Sequence, residues 1–320
     1  MNGYRALKEG AGVGAVAPRR AIGVSGKDRA AFLQGLLTND IDTLIGGRGC
    51  YAAWLTPQGR MLTDMHVLES GDMMLLDVPA HLVLSTLRRL EQFLFSEDVQ
   101  LADLSEALRS VWLHGPAAPD VLLGVLTGLV DPGSWREYEN ARAKFNGAPV
   151  VVARISQLGV PGFCMYVEPS REEELRRALQ SAGAIPATHA EMEAARIEAG
   201  YPVFGLDMTE DTIPLEAGIE QRAISFDKGC YVGQEVIIRV LHRGGGRVAR
   251  KLVGLRRESR AMAQGAPIFG GGKEIGVVTS AGSSPQHGVV ALGYVKRDFT
   301  GPGTSVLIDG VAAEVTARPM

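Results

Sequence analysis

The sequence predicts an α+β fold of two split-βαβ lobes followed by a small all-β barrel. Up to Lys251, apolar strand patterns alternate with amphipathic helical patterns, which is typical of such lobes. From there the chain has short strands separated by Gly, Pro and Ser turns, which favours a barrel. We therefore expect one α+β region at 1–105 and 190–249, a second lobe at 106–189 and the barrel at 250–320.

The composition describes a globular chain without signs of secretion or membrane insertion. Its 320 residues are 46% hydrophobic, enough for two or three domains, and the net charge of −3 argues against a general polyanion binder. Cys50, Cys164 and Cys230 form no CxxC pair and the histidines lack ligand spacing. We expect a reducing cytoplasm, no disulfide and no metal site. No run of about 18 apolar residues predicts a membrane span.

The first lobe follows a glycine-rich stretch. Gly10 to Ala15 imitates a dinucleotide fingerprint, but no apolar strand precedes it, so we expect a flexible leading loop. Strands at Cys50 to Leu55 and Met61 to Leu68 predict a hairpin. Asp64 lies inside the second strand, where an acid is out of place unless that face meets solvent or a cavity. A long amphipathic helix is expected over Pro79 to Phe95.

Two consecutive helices, one in the second lobe and the next one along the chain, are predicted to begin with a capping box. Ser170 with Glu173, and Thr188 with Glu191, each place a hydroxyl at a helix start and a carboxylate three residues later. The second helix puts Glu198 in its last turn, the unfavourable end for an acid. Such a residue is often solvated, but it can also mark a functional site.

One stretch concentrates the polar chemistry of the chain: Lys-Gly-Cys-Tyr-Val-Gly-Gln-Glu at 228–235. Its end looks like the start of a helix or a strand, and in the helical case Cys230 would lie just before the first turn. Unpaired N–H groups and the positive end of the helix dipole favour a thiolate there. The alternative is a buried small residue at a turn. The motif residues around the thiol are Lys228, Gly229, Tyr231, Gly233, Gln234 and Glu235.

A basic segment follows this motif. From residue 239 to 260 it holds eight Arg and Lys residues, Arg239, Arg243 and Arg247 among them, against the single acid Glu258. It is either a solvated linker or a cradle for a polyanionic tail or an RNA backbone. The absence of clustered aromatic residues for base stacking argues against stable nucleic acid binding.

The motif at 228–235 resembles the signature of the YgfZ-type folate-binding proteins of iron–sulfur cluster maintenance. These are relatives of the glycine-cleavage T-protein, an aminomethyltransferase. Similar blocks are spread along nearly the whole chain, at Phe32 to Asp40, Gln58 to Asp64, Arg196 to Gly200, Pro214 to Gly218 and Ala291 to Val295.

The resemblance implies a T-protein-like ring of two ferredoxin-like lobes and a barrel around a tetrahydrofolate pocket. It gives Asp64 the position of an acid near the reactive folate nitrogen, and Glu198 that of a pterin-binding glutamate. A carboxylate can accept two donors from the aminopyrimidine edge of a pterin. For an anion-binding role of Arg239, Arg243 and Arg247, a folate polyglutamate is the simplest ligand. The alternative for each acid is a surface carboxylate.

The chain departs from the T-protein pattern at residues that would line the site. Gln157 stands where that family has an aromatic residue, Val160 stands where it has an acid, and Cys230 has no counterpart there. These departures favour a folate-binding accessory protein that supports assembly or repair of Fe–S clusters in client proteins, with Cys230 as its catalytic thiol. The alternative is an aminomethyltransferase or a demethylase of a small amine, which would rest on Asp64 and Glu198.

Overall fold

A computed structural model of the chain describes residues 2–242 and 245–320. These residues form two α+β lobes and a closed C-terminal barrel of six strands, so the predicted fold class is confirmed. Within the described ranges, no helix is both long and apolar enough to cross a membrane. The same ranges contain no group of three or more His, Cys, Asp or Glu placed to hold a metal ion.

The N-terminal segment has regular structure, so the flexible loop expected at Gly10 to Ala15 is wrong. It forms helix α1 (Gly3–Glu9) and strand β1 (Gly12–Val13), whose two residues are buried between strands on either side. A Cβ at position 12 would lie 2.6 Å from Leu7 Cδ2, so glycine lets β1 lie close to that side chain of α1. The glycines therefore allow close packing of the backbone.

The first lobe is a five-stranded antiparallel sheet with helices on one face. Its elements are β2 (Arg19–Ser25), α2 (Arg29–Gln34), β3 (Gly49–Leu55), β4 (Met61–Glu69), β5 (Met74–Pro79), α3 (Val83–Glu91) and β6 (Gln100–Asp103), in the sheet order β3-β4-β5-β2-β6. Alternate residues such as Trp54, Met65 and Leu76 pack against Leu33 of α2 and Leu90 of α3. Because side chains alternate across a strand, the remaining residues face the other side of the sheet.

The second lobe is a six-stranded sheet that recruits β1 from the N-terminus. Its further elements are β7 (Arg109–His114), α4 (Ala118–Val125), β8 (Asn140–Phe145), β9 (Ala148–Arg154), β10 (Gly162–Val167), α5 (Glu172–Ser181) and β11 (Ile185–Pro186), in the sheet order β11-β1-β7-β10-β9-β8. Leu75 of the first sheet packs in one buried cluster with Trp112, Cys164 and Tyr166 of the second. The helix-free faces of the two sheets therefore meet.

Two helix predictions fail at prolines. The helix expected from Pro79 begins as a short 3-10 turn and becomes α-helical only at Val83, because Pro79 is still paired in β5. Helix α5 begins at Glu172 rather than with Ser170 as cap, since Pro169 initiates a 3-10 turn that contains the serine. The Ser170 capping box is therefore wrong.

The chain between the second lobe and the barrel is mainly helical. It contains α6 (His189–Glu198), α7 (Pro214–Ala217), α8 (Glu220–Ala223) and α9 (Gln234–His242). The predicted capping box of α6 is confirmed: Glu191 N–H donates to Thr188 Oγ1 over 3.3 Å, and Thr188 N–H donates to Glu191 Oε2 over 2.8 Å. Helix α9 begins at Gln234, so the 228–235 motif ends in a helix and not in a strand, the two alternatives that the sequence left open.

The barrel follows as β12 (Arg250–Arg257), β13 (Pro267–Gly270), β14 (Lys273–Ser284), β15 (Gly288–Lys296), β16 (Ser305–Ile308) and β17 (Val311–Thr316). Asp309 and Gly310 both have positive φ, as a type I′ turn between β16 and β17 requires. Fully buried Arg196 of α6 ties the barrel to the rest of the protein. It donates to Asp207 Oδ2 over 2.7 Å and to Ser280 Oγ of β14 over 2.8 Å.

Candidate functional site

Asp64 lies at the centre of a buried polar network on the helix-free face of the first sheet. The strand register sets Tyr51 opposite His66, and His66 opposite Asp77, so these side chains share a face with Asp64. Tyr51 Oη donates to Asp64 Oδ2 over 2.7 Å, and Arg19 Nη1 donates to Asp64 Oδ1 over 3.1 Å. The acid that is out of place in the strand sequence is therefore paired inside the protein.

Arg19 joins this network to a second carboxylate. Its Nε donates to Asp77 Oδ2 over 2.7 Å, and the same oxygen lies 2.8 Å from His66 Nδ1. Desolvation alone would raise the pKa of Asp77, but Arg19 and His66 outweigh it and the pKa lies below its usual value. Burial, reinforced by the Arg19 charge, lowers the pKa of His66. At neutral pH His66 is therefore an uncharged imidazole, whose Nδ1–H donates to Asp77.

Two aromatic residues connect the network to Arg222. The guanidinium carbon of Arg222 lies 4.5 Å from the centre of the Tyr201 ring and 5.1 Å from that of Tyr51. The Tyr201 hydroxyl lies 3.3 Å from His66 Nε2, the acceptor nitrogen of the neutral ring. Burial raises the pKa of Tyr201 above its usual value, so the hydroxyl keeps its proton. Cation–π contacts thus hold Arg222 between the two rings.

Tyr201 and Arg222 also form part of the wall of a cavity of about 270 Å³, which we call the Tyr201 cavity. Gln157 is almost fully buried there, and its Oε1 has no hydrogen-bond partner among the residues that the structure describes. Arg318, near the C-terminus, donates to Ala217 O over 2.7 Å beside the same space. The complete lining is Ser156, Gln157, Gly159, Ala199, Gly200, Tyr201, Gly218, Arg222 and Arg318.

Glu198 is buried close to this cavity but faces away from it. Tyr4 Oη of α1 donates to its Oε1 over 2.8 Å, and Lys8 Nζ lies 2.7 Å from its Oε2. Burial, together with Glu198, raises the pKa of Tyr4 well above its usual value. The carboxylate thereby fixes α1 to the end of α6, two residues before the cavity residue Gly200.

The 228–235 motif lies on the outside of the first lobe. Lys228 is buried, and its Nζ donates to three backbone carbonyls at and just after the end of α2: Gln34 O over 2.6 Å, Leu37 O over 2.7 Å and Asn39 O over 2.8 Å. Desolvation lowers the pKa of Lys228 to about 8. The lysine therefore anchors the motif loop to the end of α2.

Cys230 is exposed on this loop, while Tyr231 next to it is buried. Gly233 has φ +85°, and a Cβ there would lie 2.5 Å from Thr56 O, so the glycine lets the loop lie against the β3–β4 hairpin. Gln234 then begins α9, and Glu235 occupies its first turn on the exposed side. The thiol precedes the helix start as the helical alternative expected, but it points outward.

Three of the remaining predicted residues are exposed. Arg239 of α9 and Arg247 after it are exposed, as is Gly229 beside the thiol. Arg243 lies outside the described residues. Cys230, Arg239 and Arg247 are thus on the outside, whereas Asp64 is linked through Tyr51 to Arg222, which lines the Tyr201 cavity.

None of Cys230, Asp64 and Glu198 is among the residues lining this cavity. The residues that the sequence analysis missed are mainly members of the network around Asp64: Arg19, Tyr51, His66, Asp77, Tyr201 and Arg222. One signal was available, because Asp64 and His66 alternate along a strand and so share a face. The other members come from other strands and from the segment after α6, which a single segment does not identify.

Comparisons with known proteins agree with this architecture. Residues 2–228 match the GCVT N-terminal domain, and residues 250–320 match the Glycine cleavage T-protein C-terminal barrel domain. The chain therefore belongs to the glycine cleavage T-protein family.

Individual relatives extend over nearly the whole chain. An aminomethyltransferase of Rubrobacter xylanophilus is 32% identical over 95% of this chain and 81% of its own length. One from Thermus thermophilus is 32% identical over 95% of this chain and 88% of its own length. The crystal structure of glycine cleavage system aminomethyltransferase T from Bartonella henselae superposes with a TM-score of 0.85 at 25% identity, covering 99% of this chain and 88% of that one.

Proposed function

We propose that the chain binds tetrahydrofolate in the Tyr201 cavity and acts as a YgfZ-type accessory protein in assembly or repair of Fe–S clusters, with Cys230 as its working thiol. The observation that carries this proposal is the separation of two chemistries. A polar cavity that suits a small molecule lies inside the fold, while the thiol is exposed on an outer loop. A thiol so placed can reach a protein partner without opening the cavity.

The cavity suits one end of a folate. The unpartnered Gln157 Oε1 can accept an N–H of the pterin aminopyrimidine, and Arg222 and Arg318 can donate to its ring oxygen and nitrogens. At about 270 Å³ the space is just below the range of roughly 300–1,000 Å³ usual for ligand sites. It therefore holds the ring system and leaves the remainder of the ligand outside.

Asp64 and Glu198 would hold residues of the cavity wall in position. Asp64 fixes Tyr51, against which Arg222 is stacked, and so sets the position of that guanidinium. Glu198 holds the end of α6, from which the lining residues Gly200 and Tyr201 follow. Both are therefore proposed as residues that position the cofactor-binding groups.

The exposed arginines extend this proposal to the ligand tail and to partner proteins. Arg239 and Arg247 would attract the polyglutamate tail of cellular folates. The loop around Cys230 would meet Fe–S client or assembly proteins in the cytoplasm. We also propose 1–105 with 190–249 as the main folate-binding region, 106–189 as the second lobe and 250–320 as the barrel. The second lobe contributes Gln157 to the cavity wall, and the barrel region contributes Arg318.

The test separates ligand binding from the role of the thiol. Tetrahydrofolate binding is measured by calorimetry for the wild type, Cys230→Ala and Gln157→Leu. Each variant is also expressed in a strain from which the gene for this protein has been deleted, and the activity of Fe–S enzymes is measured. We expect Cys230→Ala to bind folate normally but to fail in restoring activity, while the neighbouring Gly229→Ala control restores it. Full restoration by Cys230→Ala contradicts the thiol role, and wild-type protein that does not bind tetrahydrofolate contradicts the folate site.

A second candidate function is folate-dependent aminomethyl transfer or demethylation of a small amine. It is favoured by similarity to aminomethyltransferases along 95% of the chain and by the buried Asp64 beside the cavity wall. Turnover of an aminomethyl-lipoyl protein or of a methylated glycine with tetrahydrofolate would establish it. Absence of turnover with both donors, in protein that binds folate, would leave the accessory role.

A further inference from the structure

A second cavity, of about 450 Å³, lies next to the Asp64 network and shares Arg19 with it. Its walls come from four places in the chain: the loop leading into β2, the start of β7, and the first turns of α5 and α6. We call it the Arg20 cavity. It takes no part in the function proposed above, and none of the predicted site residues lines it.

Positive charge dominates the walls of the Arg20 cavity. Four arginines line it, Arg19, Arg20, Arg109 and Arg176, against the one carboxylate of Glu172. Arg19 is already neutralised by Asp64 and Asp77, and Arg176 is paired with Glu172 over 3.1 Å. Among the described residues that line the cavity, two guanidiniums therefore have no buried carboxylate partner.

These two charges belong to Arg20 and Arg109. Arg20 Nη1 donates to the backbone oxygen of Arg19 over 3.0 Å, a contact that adds no negative charge. Arg109 donates to the backbone of Ser105, and its closest carboxylate is Glu106, 3.4 Å away with a side chain that is 93% exposed. An ion pair to so exposed a partner is screened by water and contributes little. Both guanidiniums keep further N–H donors for a ligand.

The surroundings strengthen attraction for an anion. The Arg109 side chain is only 21% exposed, so its charge acts through partly dry space, where electrostatic interactions are stronger than in water. The first residues of two ten-residue helices, Glu172 of α5 and His189 of α6, also line the cavity. Acidic residues in the first turns of both helices offset the positive ends of the helix dipoles, so the positive field in the cavity comes from the arginines.

We propose that the Arg20 cavity binds the phosphate group of a small molecule. A phosphate monoester carries a charge of about −1.5 to −2 at neutral pH, which matches the two unbalanced guanidiniums better than a single carboxylate does. The concave shape and volume lie within the usual range for small ligands, about 300–1,000 Å³. The described lining contains no Phe, Tyr or Trp on which nucleic acid bases could stack, which disfavours an RNA or DNA strand.

The test uses inorganic pyrophosphate as the probe, measured by calorimetry on the full chain in a phosphate-free buffer. Arg20→Gln combined with Arg109→Gln removes the two unbalanced charges. The matched control is Arg5→Gln combined with Arg177→Gln, because both of these arginines are exposed and paired within their own helices. We expect the dissociation constant to rise at least about tenfold in the cavity variant and to stay near the wild-type value in the control.

Four results would overturn the proposal. Three of them are wild-type protein that does not bind pyrophosphate, equal weakening in the control variant, and citrate binding as tightly as pyrophosphate. A single-stranded oligonucleotide that displaces the probe would instead indicate nucleic acid binding and would also overturn it. Circular dichroism and the melting temperature of the cavity variant establish that it is folded, so that lost binding is not caused by unfolding.

Discussion

The hydroxyl of Tyr51 donates a 2.7 Å hydrogen bond to Asp64 Oδ2, and the two residues come from neighbouring strands of one sheet. Both side chains are almost inaccessible to water. Asp64 is therefore held by a neutral donor on one oxygen and by Arg19 on the other. Burial of a carboxylate is tolerated only when it is paired and hydrogen-bonded in this way.

Replacement of Asp64 by alanine is expected to lower the free energy of unfolding by about 2–4 kcal/mol. It removes the charge-assisted hydrogen bond from Arg19 and leaves the buried Tyr51 hydroxyl without its acceptor, while Arg19 keeps its ion pair with Asp77. Urea titration measures the change. Asp72→Ala is the control, since Asp72 pairs with Arg142 on the surface and its loss should change stability by less than about 1 kcal/mol. Equal effects of the two substitutions would contradict the structural importance of the Asp64 network.

Gly233→Ala is expected to destabilise the protein by about 1–3 kcal/mol and to displace the loop that carries Cys230. Its backbone has φ +85°, and the added Cβ would lie 2.5 Å from Thr56 O. Gly229→Ala is the matched control within the same motif, because a Cβ there meets nothing within 4 Å. Denaturant titration of both variants is the measurement, and a stable Gly233→Ala protein would contradict the close approach of this loop to the hairpin.

Local signals allowed some features to be predicted, whereas the failures have local causes in one case and non-local causes in others. The Thr188 capping box is confirmed because all its groups lie within one helical turn, whereas Pro169 turned the equally regular Ser170 pattern into a 3-10 turn. Asp64 was noticed as an acid in a strand, but its partner Arg19 lies 45 residues away in sequence. The two-residue strand β1 has no periodicity to detect, and only its neighbours in the sheet define it.

Cys230 is expected to be the cysteine that reacts rapidly with a thiol reagent such as DTNB in the native protein. It is exposed, whereas Cys50 and Cys164 are buried. Burial raises the pKa of Cys50 to about 12 and that of Cys164 well above its usual value, so neither forms the reactive thiolate. Native protein should release about one equivalent of chromophore, and unfolded protein about three. Cys230→Ser should remove the native reaction, and a remaining fast equivalent in that variant would contradict the burial of the other two thiols.

Stability is expected to fall on acidification because of His114. Its ring is fully buried, its Nε2 lies 3.1 Å from Gly14 O, and burial lowers its pKa to about 4. In the unfolded chain the imidazole titrates near its ordinary value of about 6.5, so between these two values the unfolded state binds more protons. The free energy of unfolding therefore decreases as pH falls through this window, by roughly 3 kcal/mol in total for this residue.

Urea titrations of the wild type and His114→Gln at several pH values between 7.5 and about 4.5 measure this contribution, since glutamine can still donate to Gly14 O but does not titrate. The variant should lose less stability than the wild type by roughly 2–3 kcal/mol over that interval. His81→Gln, at an exposed position, should keep the wild-type slope. Parallel pH profiles for the wild type and His114→Gln would show that His114 is protonated equally in the folded and unfolded states, contrary to its complete burial.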